Sequence, residues 1–309
     1  MEDVNRKGGL MRMKTGACLL ITMIALGGSV AAAEPAVGHE VVCGDYVLGK
    51  VFIVGREGRV EWEYPAEHVC DLWVLSNSNL LFTTGHGVVE VTREKKEVFK
   101  YTTKSEVFTC QRLPNGQTLV GETTFGRLVV VDQSGQVVQE VPLLQPGEHG
   151  SHGFLANARQ LPGGNFLAGI YCGQLAREYD GQGQVVWQVP APGGGRSVIR
   201  LPNGNTLIGA ADKTNNARVF EVNAQGKVVW EVSNDDLPGH PLKFVCGVQR
   251  LPNGNTVVCN FPHGQIDPAP HLLEISPDKK VVWTFEDHKD VKKMTCFQVL
   301  DDPGEKALR

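Results

Sequence analysis

The chain carries nine histidines, and their placement is the first feature that bears on chemistry. Imidazole is the one side chain whose ordinary pKa lies near neutrality, so it serves as general acid, general base or metal ligand. His39 stands alone near the N-terminus. His68, His86, His149, His152, His240, His263, His271 and His288 all fall in or beside long, irregular stretches, and none falls in the short turns described below. His68, His152 and His240 are spaced so that three neutral imidazoles could converge, a recognised donor set for catalytic zinc or another transition metal with an open position. A metal-free alternative uses the same groups, with His68, His152, His240 or His288 as acid or base and Arg196, Lys243 and Lys292 attracting an anionic substrate or developing negative charge. Glu106, Tyr171, His263 and Asp267 are further candidate ligand-binding residues. No HExxH, CxxC, GxSxG or phosphate-loop motif narrows the chemistry.

These residues depend on a repeated scaffold. Arg112-Leu-Pro-Asn-Gly-Gln-Thr-Leu-Val recurs as Arg200-Leu-Pro-Asn-Gly-Asn-Thr-Leu-Ile and Arg250-Leu-Pro-Asn-Gly-Asn-Thr-Val-Val, with a weaker copy at Gln160-Leu-Pro-Gly-Gly-Asn. Degenerate copies begin at Leu75 and Leu300. Asn-Gly between β-prone runs marks a tight hairpin, because glycine accepts positive φ and proline presets the preceding φ. Each hairpin is followed by a second strand pair, as in Arg218-Val-Phe-Glu-Val, a turn at Asn223-Ala-Gln-Gly, and Lys227-Val-Val-Trp-Glu-Val. The last strands align Trp62, Phe99, Gln139, Trp187, Trp230 and Trp283 in one column. Four short strands recurring every 40 to 50 residues or so predict an all-β, six-bladed propeller. The tryptophans are expected to pack between blades.

The ring is expected to close through its ends, residues Thr295 to Leu300 supplying the first strand of a blade whose later strands lie within Val47 to Tyr64. Residues 46–302 are thus assigned to the propeller, 34–45 to an N-terminal lead and 303–309 to a tail. Residues 1–33 read as a signal peptide, with Arg12 and Lys14 before an apolar run and Ala31-Ala32-Ala33 before the cut; Met11 or Met13 is an alternative start. Periplasmic or secreted location follows as an expectation, with no membrane span. Seven cysteines remain after that cut, so at least one is unpaired within the chain, and a bridge between Cys246 and Cys259 is one candidate pairing. The formal net charge of -4, without basic blocks, provides no electrostatic footprint for nucleic acid. A small molecule, glycan or protein partner fits better.

In a four-stranded antiparallel blade, the repetitive Asn-Gly and Gly-Lys turns share one face. The irregular loops share the other, and function is expected where the chain departs from its repeat. His68, His152 and His240 then enter the second, fourth and sixth blades, while the repetitive-turn face is expected to be structural.

The repeat Arg-Leu-Pro-Asn-Gly-Asn-Thr-Leu with a downstream Gly-Lys-Val-Val-Trp resembles the units of PQQ-like and bacterial arylsulfotransferase-like propellers over almost the whole mature chain. The arylsulfotransferase resemblance implies channel histidines and an arginine, matched in outline by His68, His152, His240, His288 and Arg196. It departs from that family in lacking a His-Asp pair, the nearest being His68-Val69-Cys70-Asp71. The quinone and calcium ligand set of PQQ enzymes has no counterpart, so PQQ is not expected. The sequence thus predicts a binding or scaffolding propeller, or alternatively an enzyme of hydrolysis, elimination or group transfer.

Overall fold

A computed structural model of the chain describes residues 38–211, 217–237, 239, 242–262 and 269–301. The expected signal peptide, His240, His263, Asp267 and residues 302–309 lie outside these. The described strands form six four-stranded antiparallel sheets, each a blade of a six-bladed β-propeller. Six inner strands contact one another in turn around the axis: Met294–Val299, Leu72–Val74, Val107–Arg112, Leu155–Gln160, Gly195–Arg200 and Val245–Arg250. Blades 1 to 6 are numbered in that order.

Blade 1 closes the ring as the repeat implied, with one correction. Its inner strand Met294–Val299 pairs with Val41–Asp45, followed by Lys50–Val54 and Val60–Pro65. The segment expected as a lead is therefore partly the blade's second strand. All five residues of Val41–Asp45 are buried, so the strand has no polar/apolar alternation by which to be read.

The turns form for the expected reason. Asn115 Oδ1 accepts the Gln117 N–H at 3.0 Å, and Gly116 takes φ +83°, a conformation that favours glycine. The same side-chain bond recurs from Asn203 to Asn205 and from Asn253 to Asn255.

Blades are held together by apolar burial and by a repeated polar unit. Leu119, Leu128 and Val130 of blade 3 pack in one core cluster with Leu155, Phe166 and Tyr179 of blade 4. Each fully buried leucine or phenylalanine of this kind contributes about 1.5–3 kcal/mol. The polar unit explains why the repeat begins with arginine. Arg112, Arg200 and Arg250 each pair with a glutamate of the preceding blade, Glu90, Glu178 and Glu221. They also stack on that blade's Phe99, Trp187 and Trp230. Trp62, Trp187 and Trp230 donate their indole N–H to backbone carbonyls of the following blade's outer turn, at Arg93, Ala224 and Pro277. The aromatic column is interblade packing.

At the blade 6 to blade 1 seam the arginine position is occupied by Val299, and His39 takes over its role. Its Nε2 lies 2.8 Å from Glu274, its Nδ1 2.8 Å from Asp301, and its ring meets Trp283 edge-on at 4.8 Å. Both carboxylates favour the charged ring and raise its pKa, Glu274 most strongly, against the opposing effect of burial.

The seven cysteines of the described residues form no disulfide with one another; Cys259 lies opposite Gly247 while Cys246 is bulged out of register. Among the described residues no helix is long and apolar enough to cross a membrane.

Candidate functional site at the mouth of the axial channel

The inner strands present their axial side chains in layers, and each layer has a distinct task. Deepest toward the repetitive turns is the residue two before the repeat's leucine: Gln298, Trp73, Gln111, Arg159, Ile199 and Gln249 in blades 1 to 6. Three glutamines staple neighbouring blades, their Oε1 atoms accepting backbone N–H groups of Val74, Gln160 and Val299 at 2.8–2.9 Å. Two residues earlier stand Cys296, Asp71, Thr109, Asn157, Ser197 and Gly247. Here Asp71, Thr109 and Ser197 accept the N–H of Cys110, Ala158 and Val248 in the next blade.

An ion pair shuts the waist between these layers. Arg159 reaches across the axis from blade 4 to Asp71 of blade 2, with Nη1 to Oδ2 at 2.7 Å and Nη2 to Oδ1 at 3.0 Å. Its guanidinium lies 4.8 Å over Trp73. Asn157, with its amide placed to satisfy both of its atoms, accepts from Arg159 Nη2 at 3.1 Å and donates to the Val198 carbonyl. Paired charges surrounded by hydrogen bonds are the form in which buried ions are tolerated.

Above the waist, each inner strand except that of blade 2 carries a β-bulge, at Thr295, Phe108, Ala156, Arg196 or Cys246. Cys70 holds the equivalent place in blade 2. A bulge re-aims a side chain out of the ladder, and bulges are common next to functional sites. Cys70, Asn157, Arg196, Ser197, Cys246 and Cys296 line a void of about 20 Å³, room for a single water.

Arg196 is the group set apart in this layer. Its Cζ lies 5.0 Å from the ring centres of both Tyr171 and Phe244. Its Nε is buried without a hydrogen-bond partner, and no carboxylate pairs with it among the described residues. The chain is led into this position by Gly193 and Gly194, at φ +90° and +94°. A Cβ on Gly194 would lie 2.2 Å from the Tyr171 ring, so glycine is what lets the tyrosine support the arginine. Burial pushes the Cys246 thiol up to about 11 and the Cys70 thiol up to about 12, Arg196 acting in the opposite direction on both. Both cysteines therefore stay as thiols near neutral pH.

The rest of the mouth is contributed by loops of blades 1 to 4. Glu106 holds His152, whose Nδ1 lies 2.9 and 3.0 Å from the two carboxylate oxygens, and His152 also meets Phe108 edge-on at 5.3 Å. His68, at φ +52°, lies with its ring centre 4.7 Å from that of Tyr46, the two rings tilted by 31°. The Tyr46 hydroxyl is raised by burial, then by Cys70 and Glu106, which places these groups in one electrostatic neighbourhood.

The remaining candidates serve locally. The Lys243 N–H donates to Asn260 Oδ1, and Lys292 donates from Nζ to the His288 carbonyl. The His288 ring lies 4.7 Å from that of His271. Among the described residues no group of three or more His, Cys, Asp or Glu is arranged to hold a metal. The convergence of His68 and His152 with His240, and any role of His263 or Asp267, lies outside the described residues.

Sequence reasoning did not single out Asp71, Arg159, Tyr46, Cys70, Cys246 or Phe244 as site residues. A signal existed for Arg159, which replaces the glutamine of the repeat. The opposite face is also less featureless than expected: a cavity of about 950 Å³ opens there, lined in part by Trp73, Gln111, Arg112, Arg159 and Arg200. Its three arginines are engaged with Glu90, Asp71 and Glu178, unlike Arg196.

No family model and no curated protein matches the chain. Solved structures do match. A protein of unknown function from Bacteroides caccae is 23% identical, with 84% of this chain and 98% of that chain covered and a TM-score of 0.74. A catalytically inactive histidine variant of virginiamycin B lyase from Staphylococcus aureus, with quinupristin, is 11% identical over 84% of this chain and 88% of its own, TM-score 0.57. A chain of a nidogen/laminin complex is 12% identical over 84% and 97%, TM-score 0.59. At these identities the likeness is one of fold: the β-propeller scaffold is supported, and membership of the PQQ-like or arylsulfotransferase-like groups is not.

Proposed function

We propose that the chain is a ligand-binding propeller whose channel mouth takes a small anionic molecule, with Arg196 as its anchor. The observation that carries this is a guanidinium held between two aromatic faces with no carboxylate partner among the described residues. Arginine is weakly hydrated and offers a planar fork that matches carboxylate, phosphate or sulfate oxygens. With the waist shut by Asp71 and Arg159, the ligand sits at the mouth and does not pass through. If residues 1–33 direct export as expected, the ligand is met in the periplasm or outside the cell.

Thermal shift of the full chain with succinate, phosphate and sulfate tests the reading. At least one anion is expected to raise Tm, and Arg196→Gln is expected to abolish that rise while leaving the ligand-free Tm within a few degrees. No rise with any of the three, or a rise kept by the variant, would overturn it.

The Glu106 to His152 contact supports a second reading, in which the mouth also performs acid-base chemistry. A carboxylate bonded at Nδ1 fixes the tautomer and leaves Nε2 toward solvent, as in a carboxylate-oriented general base. Elimination, hydrolysis or group transfer are the reaction classes such a base serves. A zinc version would add His68 and His240 as ligands, and metal analysis of untagged protein tests it. The arylsulfotransferase-like version has less support, because Asp71, the acid of the His68-Val69-Cys70-Asp71 stretch, is engaged by Arg159. In the enzyme reading His152→Ala retains anion binding and loses turnover; loss of both together argues against it.

A further inference from the structure

Where the chain passes from blade 6 to blade 1, two histidine rings lie side by side with three of their four nitrogens hidden from water. His271 opens the strand Leu272–Ile275, its backbone fixed by hydrogen bonds to Phe285 and Asn260. It is 1% exposed, and its Nε2 has no hydrogen-bond partner. Its ring also bonds the backbone of Asp287. With the ring engaged there, Nε2 is the nitrogen left without a partner. This is the arrangement that orients metal-ligating histidines: one ring N–H held by a carbonyl, the other nitrogen free to bind. The partner ring is His288, 4.7 Å away at 52°, with both of its nitrogens buried and without partners.

A purely structural pair would be expected to satisfy those nitrogens, since an unpaired buried polar atom costs roughly 1–3 kcal/mol. Here three nitrogens of two adjacent rings are left without partners. Two imidazoles sharing an ion at ~2.0 Å bonds have ring centres about 5 Å apart when the angle at the metal is near tetrahedral. The observed ring-centre separation of 4.7 Å is close to that value, and His288 sits half-buried on the loop after Glu286. The charged neighbours do not compete. The Asp45 carboxylate accepts the N–H groups of Val47, Leu48, Lys292 and Lys293, and Asp287 accepts those of Lys289 and Asp290.

We propose that His271 and His288 form a two-imidazole site for a transition cation of the zinc or copper class, with solvent or an exogenous donor completing the coordination. Neutral imidazole pairs suit this class, whereas magnesium and calcium seek oxygen donors. The site is built from His271 and the candidate His288 and shares no residue with the Arg196, Tyr171 and Phe244 group.

The test is competition of untagged full-length protein against a chromophoric chelator, with zinc(II) in one arm and copper(I) under anaerobic conditions in the other. One equivalent of either ion is expected to be retained, and His271→Gln and His288→Gln are each expected to weaken that binding at least about tenfold. If the buried His271→Gln variant does not fold, His288→Gln decides, and X-ray absorption of the loaded wild type should show imidazole scattering. Failure of both ions to bind stoichiometrically, or binding that His288→Gln leaves unchanged, would overturn the proposal. Arg196→Gln is expected to leave this binding intact.

Discussion

Arg159 and Arg196 belong to adjacent blades and both rest on aromatic rings, yet the channel regions they occupy behave differently. At the waist, Arg159 meets both oxygens of Asp71, and the surrounding amide and hydroxyl groups complete the network. At the mouth, Arg196 has the two rings of Tyr171 and Phe244 and no carboxylate among the described residues. The same side chain thus closes the channel where its charge is matched and is available to an incoming anion where it is not. Pairing, more than position on the axis, separates the structural arginine from the candidate functional one.

The largest effect expected from this contrast is on stability. Asp71→Asn removes the countercharge and leaves Arg159 buried, which should cost about 3–5 kcal/mol. Arg196→Gln removes a cation that no carboxylate among the described residues balances and should change stability by less than about 1 kcal/mol. Urea unfolding of the two variants side by side measures the difference. Equal losses would mean that both arginines are structural, and the contrast would fail.

Legibility in the sequence followed the same division. Repeating features could be read because each copy confirmed the others: the Asn-Gly turns, the aromatic column and the complementary ends fixed six blades before any coordinates. The strand Val41–Asp45 escaped because it is buried on both sides and precedes a turn, Tyr46 to Gly49, with no Asn-Gly step. His39 looked like part of a lead because its role, replacing the seam arginine, is visible only once Glu274 and Trp283 are beside it. The Asp71 to Arg159 pair spans 88 positions and two blades, and no local pattern encodes it. Arg196 was legible as a candidate from its place in an irregular loop, whereas its support by Tyr171 across Gly194 was not. The His271 and His288 pairing was hidden for a different reason: both lie in loops, where spacing carries no register.

A second pair of residues sharpens the comparison through pH, because His39 and His271 shift in opposite directions. An unfolded imidazole titrates near 6.5. Folded His271 resists its proton down to about 4, so between those values the unfolded chain binds the extra proton and stability falls as pH falls. The loss should be on the order of 3 kcal/mol, level off below about pH 4, and disappear in His271→Phe. Folded His39 is raised instead, so its contribution is full below pH 6.5 and is lost as pH rises through its folded value. His39→Gln should flatten that alkaline side alone. Denaturant melts in chelator-treated buffer from pH 4 to pH 9 separate the two; a single slope of one sign, unaffected by either substitution, would refute the assignment.

The smallest effect concerns the glutamine staples, and it asks whether the ring is equally closed at every blade. Gln249 accepts the Val299 N–H at 2.9 Å across the seam where the two ends of the chain meet. Blade 5 has Ile199 at the same repeat position and joins its neighbour without a glutamine staple. Gln249→Leu keeps the side-chain volume but leaves a buried N–H unsatisfied, which should cost about 1–2 kcal/mol. Ile199→Leu, which removes no hydrogen bond, should cost less than that. Amide hydrogen exchange distinguishes where the cost is felt. Because the staple holds the Val299 N–H itself, its loss should speed exchange at Val299 and along Met294–Val299 before it reaches Val107–Arg112. Uniform acceleration around all six inner strands would show that the seam opens no more easily than any other blade boundary. The His39 clasp to Glu274 and Asp301 would then be the stronger of the two fastenings.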